Sequence, residues 1–234
     1  MKIAIMQPYV FPYIGYFQLI KAVDLFVFYD DVNFIKKGFI NRNSILVNNK
    51  RFNFTIPCKE VSQHKKINKT EVFFDAKAQQ KFLNTISQAY GKAPYFEDVY
   101  PLLEHLFMKS NYHTIADLAM KSVYLVSEYL GVTTKFKVSS YCFSETEHLV
   151  KEDRLIQISK NVGATTYVNA IGGQELYDPI SFKVRGVDLK FLKTGTICYE
   201  QWSKEFEANL SIIDVMMFNS RDDINDFLEM YSLI

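Results

Sequence analysis

Apolar residues fall into blocks that switch between short continuous runs and helical stripes. Met1–Met6 is apolar except at Lys2, which predicts a short buried strand. Pro8 and Pro12 then bracket an extended loop, because a proline disfavours helix at the residue before it. From Ile14 to Val23, apolar side chains at Ile14, Phe17, Ile20 and Ala22 predict a helix packed on a sheet. Leu25–Tyr29 is a second apolar run, and it ends on the acidic pair Asp30-Asp31. Strand, helix and strand within about thirty residues form a βαβ unit with an expected right-handed crossover. Such folds collect function at the carboxyl ends of the strands, here Gln7–Tyr13 and Tyr29–Asp31.

Further along, Asn43–Val47 and Arg51–Ile56 flank Asn48-Asn49-Lys50, a hairpin signal. Val61–Thr70 is polar and basic and predicts an exposed loop. Three helices are expected at 75–90, 96–109 and 114–130, the last with one apolar stripe and Gly131 as its C-cap. Strands are expected at 134–139, 165–170 and 187–192, and a helix at 149–161. A short helix is expected after Ile171-Gly172-Gly173. The C-terminal part reads as two helices, 210–218 and 222–231, with Ser220 or Asp222 as a cap. The pattern predicts one α/β domain over residues 1–234, with a mostly parallel sheet and a helical insertion at about 75–131.

Composition narrows the partners. With 27 basic and 26 acidic side chains the chain is nearly neutral, which argues against DNA or another polyanion as the general ligand. Gln7 and Pro8 stop the first apolar run far short of a signal segment. Tyr9–Tyr29 is interrupted by Pro12, Gly15, Lys21 and Asp24, so no membrane span is expected and the chain reads as cytoplasmic. Cys58, Cys142 and Cys198 are too few and too far apart for a disulfide framework or a zinc site. Aromatic content is 15%, and five of the nine residues in Tyr9–Phe17 are aromatic, at the strand end where a site is expected.

The Gln7–Phe17 segment reads either as a ligand pocket or as an aromatic packing corner. Backbone N–H groups at the helix start suit an anion, and Gly15 would allow close approach. Tyr13 and Tyr16 occupy the place where HIGH-motif nucleotidyltransferases, whose strand–loop–helix this segment resembles, carry two histidines. That resemblance implies a nucleotidyltransferase-like (HUP-type) sheet, but tyrosines bring no positive charge to a triphosphate. Asp30 and Asp31 are read as a general base, a cation site or caps, pointing apart unless the chain turns. In Lys36–Asn43, Arg42 between Asn41 and Asn43 suits phosphate or carboxylate, while Lys36 and Lys37 read as a solvated face. His64 stands in a lysine-rich loop as an acid–base candidate. Asn169-Ala170-Ile171-Gly172-Gly173 permits a tight turn and close ligand approach without the spacing of a dinucleotide or P-loop motif. No metal or cofactor is assigned by these residues.

Several longer stretches resemble the WbqC-like family of bacterial proteins: MQPYVFPYIGYFQLI, FVFYDDVNFIKKGFINRNSIL, FTIP, KAPYFE, TYVNAIGGQELYD and LSIIDVMMFN. The resemblance spans almost the whole chain and is looser between about 59 and 90. It implies a place among proteins of surface-polysaccharide (O-antigen) loci. It also marks Gln7, Tyr13, Gly15, Tyr16, Asp30, Asp31, Asn41, Arg42, Asn43, Asn169, Gly172, Gly173 and Asp214 as site residues. The expectation is an enzyme that transfers an acyl or aminoacyl group to a nucleotide- or carrier-linked amino sugar, with an acyl carrier as a possible partner. Nucleotidyl transfer and a non-catalytic binding module of a glycan-assembly complex are the alternatives.

Overall fold

The computed structural model describes residues 1–203 and 205–234. Its central sheet holds β1 (Lys2–Met6), β2 (Leu25–Phe28), β5 (Lys135–Val138), β6 (Thr166–Ala170), β7 (Asp188–Thr194) and β8 (Tyr231–Leu233), in the order β5-β2-β1-β6-β7-β8. Every pairing is parallel except β7 with β8. A separate antiparallel hairpin is made by β3 (Arg42–Val47) and β4 (Lys50–Thr55).

Alternation along the strands creates two cores, because successive side chains leave a strand on opposite faces. Ala4, Phe26, Phe28, Val168 and Leu192 point to one face and meet α1 (Ile14–Lys21), α4 (Ile115–Tyr129), α8 (Ile212–Phe218) and α9 (Arg221–Glu229). Ile3, Ile5, Leu25, Val27, Tyr167 and Phe191 point to the other and meet α6 (Lys151–Asn161) and α7 (Pro179–Val184). The strands of the sheet's centre are buried on both faces, which is why β1 and β2 are nearly continuous apolar runs. The chain winds outward from β1 to β2 and β5 with its helices on the first face. It then returns to β6 and β7 with helices on the second. The direction reverses between β1 and β6, and in sheets of this kind ligands are expected at the carboxyl ends of such strands.

The crossover from β2 to β5 carries the hairpin and the helical insertion: α2 (Ala76–Tyr90), α3 (Phe96–Glu104) and α4. After α3 the chain widens into one π-helical segment, His105–Lys109, four residues beyond Pro101, whose ring removes a backbone donor. Asp75 caps α2, and a reciprocal Thr114–Asp117 pair caps α4. Asn48 and Asn49 alone form the hairpin turn, both with positive φ (51° and 60°), so Lys50 belongs to β4.

Two sequence expectations are corrected. The second C-terminal helix stops at Glu229 instead of continuing to Tyr231. The next residues form β8, and Met230's carbonyl accepts the Gly195 N–H at 2.7 Å. Three residues are too few for a periodic signal, and the pairing that makes them a strand lies far away in sequence. A four-residue helix, α5 (Ser139–Cys142), also begins where the 134–139 strand was expected to end.

Candidate functional site

The loop after β1 is fixed from all sides by backbone hydrogen bonds. Val10 N–H donates to the Ile40 carbonyl at 3.2 Å, and Phe11 N–H to Ser122 Oγ at 3.0 Å. Phe11 takes φ = +45°, and its carbonyl accepts from Asn43 Nδ2 and, at 2.8 Å, from Ser211 Oγ. Asn43 also reaches the Val10 carbonyl, so this buried amide clamps the loop instead of facing solvent. Asn41, likewise buried, donates to the Ile56 carbonyl at 2.8 Å. Strand alternation therefore turns Arg42 outward between two inward amides.

Tyr16 is buried, with its hydroxyl donating to the Gln7 carbonyl at 3.1 Å and its ring edge-on to Tyr9. Tyr13 lies across the start of α1: a Cβ on Gly15 would come within 2.4 Å of its ring and 2.6 Å of its hydroxyl. The room that Gly15 provides is thus filled by the chain's own tyrosine.

Two clefts flank the segment Lys36–Asn43. One, of about 360 Å³, is lined by Tyr9, Tyr13, Phe39, Asn43 and Asn209. Phe39 is 69% exposed on its rim, 6.1 Å from the Tyr9 ring and tilted by 47°. Tyr9 Oη accepts the Tyr13 N–H at 3.1 Å, and its own proton has no acceptor among the described residues. Asn209 sits at φ = +57°, a conformation that asparagine tolerates better than most residues. The other cleft, of about 460 Å³, has Lys36, Lys37, Asn41, Arg42, Thr55 and Cys58 in its wall. No carboxylate pairs with Lys36, Lys37 or Arg42 among the described residues. Burial pushes the Cys58 thiol up to about 11, so it stays protonated at neutral pH.

The acidic pair beyond β2 forms a separate, buried network. The chain bends at Asp31, and both carboxylates turn to Ser139 Oγ. Asp30 also accepts from Ser140 N–H (3.0 Å), Ser140 Oγ (2.6 Å) and Asn68 Nδ2 (3.2 Å). Asp31 is paired with Arg154, itself buried, whose guanidinium lies 4.9 Å from the Tyr29 ring centre and donates to Thr146 Oγ1. The pair therefore joins the end of β2 to α5 and α6.

At the carboxyl ends of β1 and β6, Gln7 follows the last residue of β1 and Asn169 precedes the last of β6. Asn169 Oδ1 accepts the Ala170 N–H at 2.9 Å, and its Nδ2 lies only 2.3 Å from where a Gly173 Cβ would stand. Gly173 thus makes room for Asn169, while a Cβ on Gly172 would meet nothing within 4 Å. Asp214, fully buried on α8, accepts from Tyr90 (2.6 Å), Tyr199 (2.7 Å) and Gln201 (2.9 Å). Burial raises its pKa, and those three hydrogen bonds oppose the rise. His64 is exposed, beside Gln63.

The predicted residues are therefore spread over distinct places. Tyr13 and Asn43 share the aromatic cleft, Asn41 and Arg42 the cationic one, and Asp30 and Asp31 the buried network. Gln7, Asn169, Gly172 and Gly173 stand at or just beyond the strand ends, and Asp214 lies buried on α8 against Tyr90, Tyr199 and Gln201. Phe39, Asn209, Ser139, Ser140 and Arg154 were not singled out in the sequence. Arg154 follows Glu152-Asp153 and looks like an ordinary solvated helix charge, and nothing local marks Asn209. Among the described residues no group of three or more His, Cys, Asp or Glu side chains is arranged to hold a metal, and no helix is long and apolar enough to cross a membrane.

No solved structure matches the chain significantly. It is 27% identical over 235 residues to the uncharacterized protein Rv1507c of Mycobacterium tuberculosis (strain ATCC 25618 / H37Rv), covering 97% of each chain. The pattern of the WbqC-like protein family matches residues 7–226, which takes in β2 to β7 and leaves out β1 and β8. The chain belongs to the WbqC-like protein family.

Proposed function

We propose that the protein is a transferase of bacterial surface-polysaccharide assembly that moves an acyl or aminoacyl group onto the amine of a nucleotide- or carrier-linked amino sugar. The observation that carries this reading is the concave aromatic cleft beside the loop that follows β1, with an arginine on the adjoining segment that pairs with no carboxylate among the described residues. Tyr9 and Phe39 offer faces for a ring, Tyr9 and Asn209 offer polar groups for its hydroxyls, and Arg42 suits a phosphate. The family resemblance to surface-polysaccharide proteins supports a sugar as that ring.

In the reaction the sugar nitrogen attacks the acyl carbonyl carbon, a C–N bond forms, and the bond from that carbon to the donor's leaving atom breaks. The amine proton passes to the donor's leaving group, while Asp30, held by Ser139, Ser140 and Asn68, stays in its own buried network and lines neither cleft. His64 is the alternative acceptor. Asp31 acts by holding Arg154 and Tyr29 in place. Gln7, Asn169 and Gly172 stand at or just beyond the carboxyl ends of β1 and β6, where a doubly wound sheet is expected to receive the donor.

Nucleotidyl transfer has less support, since Tyr13 covers Gly15 and Tyr16 is buried, leaving neither room nor charge for a triphosphate at the start of α1. A non-catalytic docking module would call for a broad convex aromatic patch, not a concave cleft. The test is to incubate the protein with a nucleoside-diphosphate amino sugar and a panel of donors (acyl-carrier thioesters, coenzyme A thioesters and aminoacyl adenylates) and follow the sugar by mass spectrometry. The reading expects the sugar to gain one acyl mass with one donor class. Sugar recovered unmodified with every donor, or pyrophosphate released from a nucleoside triphosphate and a sugar phosphate, would overturn it.

A further inference from the structure

The segment between the two clefts is built from two consecutive tight turns. Gly38 N–H donates to the Ile35 carbonyl at 3.1 Å, which puts Lys36 and Lys37 at the tip of the first turn. Arg42 N–H donates to the Phe39 carbonyl at 3.1 Å, which closes the second. A turn of this kind brings its first and last Cα atoms within about 7 Å. Phe39, on the rim of the aromatic cleft, and Arg42, in the wall of the cationic one, therefore stand side by side although they serve different clefts. Lys37 holds φ = +62°, an uncommon conformation for a lysine that the turn requires.

Three further observations bear on what fits there. Lys36, Lys37 and Arg42 place three positive charges around one concavity with no acidic partner among the described residues, in a protein whose formal charge is only +1. A diphosphate esterified at both ends carries about two negative charges, as a single phosphate monoester does, but it spreads them over two phosphorus centres and so can meet cations on both turns at once. The Tyr9 and Phe39 rings, 6.1 Å apart and tilted by 47°, are too close and too oblique to sandwich a flat ring between them. They present one open face, which suits a ring lying on one side only.

We propose that Lys36, Lys37 and Arg42 form a diphosphate site, and that the ring attached to that diphosphate lies across the Phe39–Arg42 turn onto Tyr9 and Phe39. This rests on the sugar-transferase reading and deepens it: the substrate is recognised as a diphosphate-linked ring, and the two lysines join Arg42 as its anion partners. The start of α1, closed by Tyr13, takes no part.

The proposal is tested by calorimetric titration with three probes: inorganic pyrophosphate, a nucleoside-diphosphate amino sugar, and the free amino sugar. Wild type is expected to bind pyrophosphate, and to bind it at least tenfold more weakly when salt rises from low to about 0.5 M, because the site is exposed enough to be screened. The double variant Lys37→Gln/Arg42→Gln, at two exposed positions, is expected to lose at least tenfold in affinity for both phosphate-bearing probes with an unchanged melting temperature. Phe39→Ala is expected to weaken the sugar probe several-fold and leave pyrophosphate unaffected. Pyrophosphate binding that is absent in wild type, or equal in the double variant, would overturn the diphosphate site. An undiminished affinity of Phe39→Ala for the sugar probe would overturn the ring placement. If the double variant loses pyrophosphate binding while no donor acylates the sugar in wild type, the site stands and the transfer reaction falls, so the two failures are distinguishable.

Discussion

At the residue scale, Asp214 sits in surroundings unlike those of a free carboxylate. It is a fully buried carboxylate with three donors and, among the described residues, no cation paired with it, and burial raises its pKa above the ordinary carboxylate value of 3.8. A raised folded-state pKa means that the native state holds the proton more tightly than the unfolded chain, so stability falls as pH climbs from the ordinary value through the raised one. Asp214→Asn keeps an acceptor for Tyr90 but sets an amide donor against Gln201. The variant is therefore expected to melt below wild type at pH 4 and to close part of that gap as pH rises; a gap that is constant from pH 4 to pH 7 would refute the linkage. The thiols give a second test at this scale. Cys142 and Cys198 are exposed, whereas Cys58 is partly buried with its pKa raised to about 11. At pH 8 a disulfide reagent should titrate two thiols quickly and the third only after unfolding. Three prompt equivalents would contradict the assignment.

Between elements, the buried ion pair and the packed tyrosine decide what the loops can do. Asp31 and Arg154 are separated by 123 residues in sequence and tie β2 to α6. Arg154→Met leaves Asp31 buried without its cation and is expected to cost about 3–5 kcal/mol in denaturant unfolding. Combining it with Asp31→Leu should recover much of that loss, because neither charge is then stranded. Equal destabilisation by the single and the double change would show that packing, not the stranded charge, sets the cost. Gly15→Ala acts locally: the three atoms nearest the added methyl all belong to the far end of the Tyr13 side chain, which can turn aside. A change of less than about 1 kcal/mol in stability is expected, with weaker binding of the sugar ligand because the displaced ring is a wall of the cleft.

For the molecule as a whole, the sheet was legible because its code is local. The βαβ start, the helices and the parallel strands each announce themselves within ten or fifteen residues through period and caps, and β8 escaped because its only signal is a distant partner. The candidate site was legible in part. Gln7–Phe17 and Lys36–Asn43 do meet beside the carboxyl end of β1, as a doubly wound sheet requires. The division of labour among them was not readable, because it depends on which way each side chain turns. Asn41 and Asn43 face inward as clamps, Arg42 faces out, and Tyr13 closes the helix start that Gly15 seemed to open. Asp30 and Asp31 looked like two diverging carboxylates until the bend at Asp31 brought both to one serine. The account's central claim, that the two clefts on either side of the Phe39–Arg42 turn hold the activated sugar, is tested most directly by a crystal structure with a nucleoside-diphosphate amino sugar bound. It predicts the sugar ring on Tyr9 and Phe39 with the phosphates against Arg42 and Lys37; a ligand seated instead in the cleft at the amino ends of the strands, near Asp24 and Lys135, would contradict it.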